Sequence, residues 1–432
     1  MAGAAEARSG RVMRLLVFSN LYDPDHAGGA AIYTDLCREL AARGHEVEVR
    51  CAYPYFPEWQ DKSGHNDLRI RRTTEAGVQV ARYGLVLPRD QRSTAHRLLY
   101  EASLLGSYSR SLHRGRRVDA VLAFSTMFSP VLSAVAFART RRVPVMVNVQ
   151  DMSSSAAVAS GLVGGRAGRL LSWVERRAFA AADVLTGISP EMVGALEAMT
   201  GATGRVRHVP NWLNGSLAEA VAALPGKRGR PPSQPLKLLY AGNIGNKQGL
   251  LEFCKVAQAS DASFHLTVHG SGPGADAVRA WGDGVGDPRF SFGPFLTEVD
   301  FTRALHDCDL FLITERTGSG TSYMPSKLIP AIATGTPILA VSDEGSSLGT
   351  EVRRFAIGPH LPWDAIDSLP DVLRRAADAA TIAAWSDHAS ARAADYGRTA
   401  VIDRVEQLLV EAVDAGGKRR VAGRGRRSRA WS

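Results

Sequence analysis

The first fifty residues alternate between apolar runs and amphipathic stretches. RLLVFSNL is a short run of buried-strand character, and the polar loop YDPDHAGG follows it. In AAIYTDLCRELAARG the apolar positions Ile32, Leu36 and Leu40 recur at helical spacing, with Gly44 as the stop. HEVEVRCAY then returns to a strand, so the pattern predicts a βαβ unit and a parallel sheet. VQVARYGLV, VDAVLAFS, VPVMVNVQD and ADVLTGIS continue the series, with helical stretches between them. The periodicity lapses over residues 213–235, where a Gly/Pro/basic run, PGKRGRPPSQP, reads as a linker. LKLLYAGNIG, FHLTVHG, RFSFGP, DLFLIT and TPILAVS restart the alternation beyond it.

These patterns divide the chain into an α/β domain over 13–212, the linker at 213–235, and a second α/β domain over 236–380. Helices at 381–415 follow, the last of them expected to pack back on the first domain. Residues 1–12 and 416–432 are expected to be disordered tails. A length of 432 residues suits two cores better than one. Two such domains should face each other across a cleft, and ligands of open α/β sheets bind outside the carboxyl ends of the strands.

Composition changes this picture little. The chain is 45% hydrophobic and 22% charged, an ordinary globular balance. Its net charge of +9 is concentrated in the last 17 residues, GGKRRVAGRGRRSRAWS, which carry +7 and leave the body at +2. That tail suits solvent or an anionic membrane surface. Nucleic acid is not an expected partner, because no stacking aromatics or reading motif accompany the charge. Cys37, Cys51, Cys254 and Cys308 have no regular spacing, and three sit in hydrophobic patterns, which fits a reducing cytoplasm. MAGAAEARSGRVM has no apolar core of the kind a secretory signal needs. Residues 120–138 are uncharged, but Ser125, Thr126, Ser129, Pro130 and Ser133 favour a strand–loop–helix unit over a membrane span.

Candidate chemistry lies in four strand-end loops. In the first, Gly28 and Gly29 precede a helix whose free amides favour an anion. In the second, YAGNIGNKQG, Gly242 and Gly245 remove bulk beside Lys247. The third, HGSGPGADAV, matches G-x-G-x-x-[GA] through Gly270, Gly272 and Ala275. A dinucleotide fingerprint should open its domain and be followed by an acid at the end of the next strand. Here a βα unit precedes it and the next strand ends in Phe292-Gly293-Pro294, so a nicotinamide or flavin site is not expected. The fourth loop carries Gly318, Ser319, Gly320, Thr321 and Ser322, small residues suited to a phosphate nest, and then Lys327 at a helix start. Together the loops point to a nucleotide-diphosphate ligand.

With these segments in view the chain resembles glycosyltransferase family 4, nearest its colanic-acid/capsule-type branch. GGAAIYTDLCRELAARGHEVEV, YPYFPEW, VNVQD, ISPEM, VPNW, GNIGNKQG, HGSGPGADAV and MPSKLIPAIATGTPI carry the likeness, which spans roughly residues 12–412. The resemblance implies an α/β GT-B fold, with two Rossmann-like domains facing across a cleft. It also implies a retaining, metal-independent transfer of a hexosyl or deoxyhexosyl group from a nucleotide sugar, with no cofactor. The acceptor would be a glycan or a lipid-linked sugar, and the enzyme cytoplasmic or peripheral on the membrane's inner face. In keeping with this, the sequence has no Asp-x-Asp in a metal-ligand context.

By the same likeness Lys247, Gly242 and Asn243 would meet the diphosphate, and Gly28 and Gly29 would lie beneath the donor. Gly270 and Gly272 would approach the nucleoside, with Ser326 and Lys327 near its ribose and phosphates and Gly320, Thr321 and Ser322 around the donor. Gln150 and Asp151 would face the transferred sugar from the acceptor side, Asp151 as base, as acceptor anchor or simply as a capping acid. Many family members carry Glu-x7-Glu around the fourth loop; here those positions are Ser322 and Pro330, which leaves the ribose partner unassigned. That gap keeps a non-catalytic scaffold open as an alternative, beside a nucleotide-sugar epimerase on the same architecture.

Overall fold

The computed structural model describes residues 11–25, 29–90, 93–113, 116–152, 165–225, 232–245, 247–318 and 324–428, without side chains at 165–167 and 418–428. Apolar runs form two sheets. The first contains β1 (Arg14–Phe18), β2 (Glu46–Ala52), β3 (Arg71–Glu75), β4 (Val78–Tyr83), β5 (Ala120–Ser125), β6 (Val145–Val149), β7 (Val184–Gly187) and β8 (Val206–His208). Their order is β3-β4-β2-β1-β5-β6-β7-β8, and only the β3–β4 pair is antiparallel. The second contains β9 (Leu236–Asn243), β10 (Phe264–Ser271), β11 (Phe290–Gly293), β12 (Leu310–Thr314), β13 (Ile338–Val341) and β14 (His360–Leu361). It is wholly parallel, in the order β11-β10-β9-β12-β13-β14.

Continuous apolar strands are what a parallel sheet covered on both faces requires, and every residue of β5, β6, β12 and β13 is buried. Helix Ala30–Ala42 covers the first sheet with Tyr33, Leu36, Cys37 and Leu40, while Ile32 is only partly buried. Residues 120–138 divide between β5 and helix Phe128–Arg141. Among the described residues no helix is long and apolar enough to cross a membrane. All four cysteines are buried, and none forms a disulfide among the described residues.

Three local features differ from the sequence reading. The strand RRTTE has no apolar face to announce it; an Ala76-Gly77 turn with positive φ at both residues folds it against β4. Within the expected linker, Asn214 accepts a hydrogen bond from the Leu217 amide at 3.0 Å and starts helix Gly215–Ala222. That helix packs on helix Glu298–Asp307, so it belongs to the second domain. The last helix runs from Arg398 to Ser428, through most of the expected tail, whose Arg content tolerates helix despite its glycines.

The polypeptide passes between the sheets twice, and both passages tie to Asp35 on helix Ala30–Ala42. Leaving β8, Trp212 donates from Nε1 to Asp35 Oδ2 at 2.8 Å. On the way back, Arg398 grips the same carboxylate through Nε (2.7 Å) and Nη2 (2.9 Å) and reaches Glu39 through Nη1 (2.9 Å). Beyond it Val401, Ile402, Val405, Leu408 and Leu409 join the core of the first domain.

Candidate active site

In each sheet the chain reverses its direction of travel between two neighbouring strands, β1/β5 in the first and β9/β12 in the second. A crevice opens at the carboxyl ends of such strands. The described candidate residues on the second domain all surround its crevice. Gly242 and Gly272 adopt φ of 125° and 133°, a backbone region that side chains rarely enter. A Cβ on Gly270 would stand 2.2 Å from the Gly242 carbonyl oxygen. One on Gly272 would stand 2.4 Å from Asn243 Oδ1 and 2.7 Å from the Ile244 carbonyl oxygen. The glycines of HGSGPG thus let the β10 turn nest against the β9 turn, where Ile244 N donates to Ser271 O and Gly274 N to Ile244 O, each at 2.8 Å.

β9 and β12 pair only at Leu238–Leu310 and Leu239–Phe311, and the Lys327 side chain enters beyond that point. Its Nζ lies 3.9 Å from the Tyr240 ring centre and 5.8 Å from that of Phe311, with no hydrogen-bond partner among the described residues. Burial pushes its pKa down to about 7, against the opposing pull of Glu315. Glu315 itself is buried, and its carbonyl accepts from Trp363 Nε1 at 2.7 Å. Asn243 and Ser326 are exposed at the rim. Pro330 is buried inside helix Leu328–Ala333, and the acid beside this pocket is Glu315.

Across the cleft, Lys247 Nζ lies 3.7 Å from Asp151 Oδ2, bringing the second domain's cation to the first domain's acid. Burial raises the Asp151 pKa, while Lys247 and Arg97 pull it back down. Asp151 Oδ1 is buried and has no hydrogen-bond partner among the described residues. Just before it, Gln150 forms a reciprocal amide pair with Asn211 of VPNW, at 3.0 Å (Gln150 Nε2 to Asn211 Oδ1) and 2.8 Å (Asn211 Nδ2 to Gln150 Oε1). Gln150 also donates to Asn148, which donates to Thr186 at 2.9 Å. These amides fix the strand end that presents Asp151.

Gly29 caps helix Ala30–Ala42, and its Cβ would fall 2.0 Å from Tyr33. The Tyr33 ring stacks on Phe124 at 3.9 Å, and its buried hydroxyl lacks a hydrogen-bond partner among the described residues. Burial drives that hydroxyl's pKa well upward; Thr126 lowers it and the Asp151 charge raises it further. The structure therefore brings Gly29, Gln150, Asp151, Gly242, Asn243, Lys247, Gly270, Gly272 and Lys327 to facing strand ends. Gly28, Gly320, Thr321 and Ser322 lie outside the described residues. Tyr33, Tyr240 and Trp363 escaped sequence reasoning because each looks like core; the position of Glu315 directly after DLFLIT was the one available signal.

Two sheets whose carboxyl ends oppose each other across a cleft define a GT-B architecture. Residues 28–212 match the family described as glycosyl transferase 4-like domain. WcaI of Escherichia coli (strain K12), described as a colanic acid biosynthesis glycosyl transferase, is 27% identical over 382 residues, 84% of this chain and 92% of that one. Among solved structures, sucrose-phosphate synthase from Thermosynechococcus elongatus superposes with a TM-score of 0.68 at 16% identity, over 93% of this chain and all (100%) of its own. Anabaena HepE, in complex with UDP and glucose, gives 0.64 at 12%, over 93% and 99%. WaaG, a glycosyltransferase involved in lipopolysaccharide biosynthesis, gives 0.62 at 16%, over 91% and 99%. Over residues 28–212 the chain is similar to the glycosyl transferase 4-like family, and the chain has the GT-B fold.

Proposed function

We propose that the chain transfers a hexosyl or deoxyhexosyl group, with retention and without a metal, from a nucleotide-diphosphate sugar to a glycan or lipid-linked acceptor. The relation to WcaI supports cell-surface polysaccharide or glycoconjugate biosynthesis as its setting. The observation that carries the reading is the Lys247–Asp151 approach of 3.7 Å, a cation of one domain against an acid of the other. Lys247 and Lys327 are placed to balance charge developing on the leaving diphosphate, the role a divalent cation plays elsewhere. The turns at Gly242 and Gly270, laid one on the other, offer a backbone surface to phosphate oxygens. Asp151, its carboxyl made less acidic by burial, orients the acceptor hydroxyl, and a donor phosphate oxygen on the same face accepts its proton.

A panel of UDP-, GDP- and TDP-sugars tests this reading. Transfer or slow hydrolysis of one donor is the expected result. Epimerisation would leave the nucleotide attached, and a scaffold would leave every donor intact. Peripheral docking on an anionic membrane belongs to the same proposal. Helix Gly165–Ala180 turns Leu170 and Trp173 to solvent, with Arg177 lying 5.8 Å from the Trp173 ring, an apolar ridge with basic flanks. Flotation with anionic vesicles that weakens in high salt is the expected behaviour, and indifference to lipid would remove this part.

A further inference from the structure

The segment YPYFPEW is left unused by the chemistry above, yet it is built with care. Asp25, buried, accepts the amides of Tyr55 (3.0 Å) and Phe56 (2.9 Å), while Lys62 Nζ donates to the Phe56 carbonyl at 2.5 Å. This holds Trp59 at φ 56°, a left-handed conformation unfavourable for a bulky aromatic. Such strain persists where the surroundings enforce it, commonly at ligand sites. The Trp59 ring stands 5.6 Å from Phe56, 5.7 Å from Tyr55 and 5.6 Å from Tyr100, and remains partly open to solvent.

Polar contacts run from this cluster to the reaction site. The Tyr100 and Tyr55 hydroxyls meet, Asn20 Nδ2 donates to Tyr55 at 3.0 Å, and Thr126 donates to Asn20. Thr126 directly follows Ser125, whose carbonyl accepts the Asp151 amide at 3.2 Å. One helical turn before Tyr100 stands Arg97, exposed and, among the described residues, paired with no carboxylate. Its charge is felt by both Asp151 and Glu101, the latter already engaged with the amides of Phe128 and Ser129. Leu98 and Leu99 beside it are also exposed.

We propose that Trp59 and Arg97 form an acceptor subsite, the indole carrying a sugar ring and the guanidinium taking a phosphoryl group attached to that sugar. A flat amphipathic ring suits the C–H face of a pyranose, and Arg is the side chain best matched to phosphate oxygens. The ligand is thus a sugar phosphate ester, either lipid-diphosphate-linked or free. This rests on the transferase reading in that Asp151 is where the acceptor hydroxyl arrives.

The test is equilibrium binding to the full chain, by saturation-transfer NMR and calorimetry, with three probes. These are a farnesyl-diphosphate-linked sugar, the free sugar 1-phosphate, and the neutral octyl glycoside, each made with glucose, galactose and N-acetylglucosamine. At least one phosphorylated pair should bind about tenfold to a hundredfold more tightly than its neutral counterpart, the range of a lost charge-assisted hydrogen bond. Arg97→Gln should erase that preference and Arg97→Lys restore part of it. Trp59→Gly, which suits the left-handed backbone, should weaken all three probes and end saturation transfer to the sugar ring.

Tighter binding of the farnesyl probe would identify the lipid-linked source, and equal binding the free phosphate ester. A wild type that binds neutral and phosphorylated probes alike, or an Arg97→Gln that keeps the preference, overturns the proposal. If no nucleotide sugar is consumed while the preference persists, the transferase reading fails and the subsite stands. If donors are consumed but Arg97→Gln keeps the preference, the subsite fails alone.

Discussion

The two walls of the cleft hold their reactive groups by different means. On the second sheet the turns after β9 and β10 are shaped by missing atoms: Gly242, Gly270 and Gly272 allow backbone to lie on backbone. On the first sheet side chains do the holding, through the Gln150–Asn211 amide pair and the Asn20–Tyr55–Tyr100 contacts. A wall made of backbone has little tolerance, because one added methyl has nowhere to go. A wall made of side chains can be retuned one contact at a time. A transferase whose donor chemistry stays fixed while its acceptor varies would need that asymmetry.

The sharpest way to break the comparison is Gly270→Ala. With a methyl 2.2 Å from the Gly242 carbonyl oxygen, both turns must shift. The donor's dissociation constant should rise by about a hundredfold or more, equivalent to about 3 kcal/mol. Calorimetric titration with the nucleotide sugar found by the donor panel checks this, and an unchanged constant would mean the turns do not grip the donor.

A smaller pair of effects should separate the walls by role. Lys247→Met should slow turnover by about a hundredfold to a thousandfold, as expected for loss of a group stabilising the leaving charge. Asp151→Asn should lower kcat by about tenfold or more, as expected when the acceptor hydroxyl is no longer held in place, while donor affinity barely moves. Steady-state kinetics beside donor titration resolve the two. A Asp151→Asn protein that turns over normally takes Asp151 out of the mechanism.

The mildest effect concerns pH. Burial holds Lys327 at about 7, so the empty pocket loses its positive charge as pH rises through neutrality. A diphosphate placed there favours the charged form and raises that pKa, so binding takes up a proton between the free and bound values. Donor affinity should therefore weaken above about pH 7, by at most about tenfold per unit, the linkage limit for one proton. Lys327→Met should flatten the profile; an equal slope in that variant would assign the dependence to another group.

Much of this was legible in the chain. Apolar runs located β1, β2, β4, β5, β6 and β7 of the first sheet and β9 to β13 of the second, because buried parallel strands are written as continuous hydrophobic residues. The glycine turns and Lys247 were legible because backbone constraints leave a local signature. Tyr33 and Arg97 were not, since each acquires meaning from Asp151, remote in sequence; Glu315 was visible beside the fourth loop, but its relation to Lys327 was not. β3 was missed for the opposite reason: an edge strand of RRTTE, largely exposed, has no hydrophobic rhythm to read.

Asp35 joins these pieces mechanically. The outgoing passage at Trp212 and the returning one at Arg398 share its carboxylate, so both crossings are fastened at one side chain. That carboxylate is borne by the same helix that Gly29 opens at the cleft. Removing this one carboxylate would therefore loosen both crossings at once.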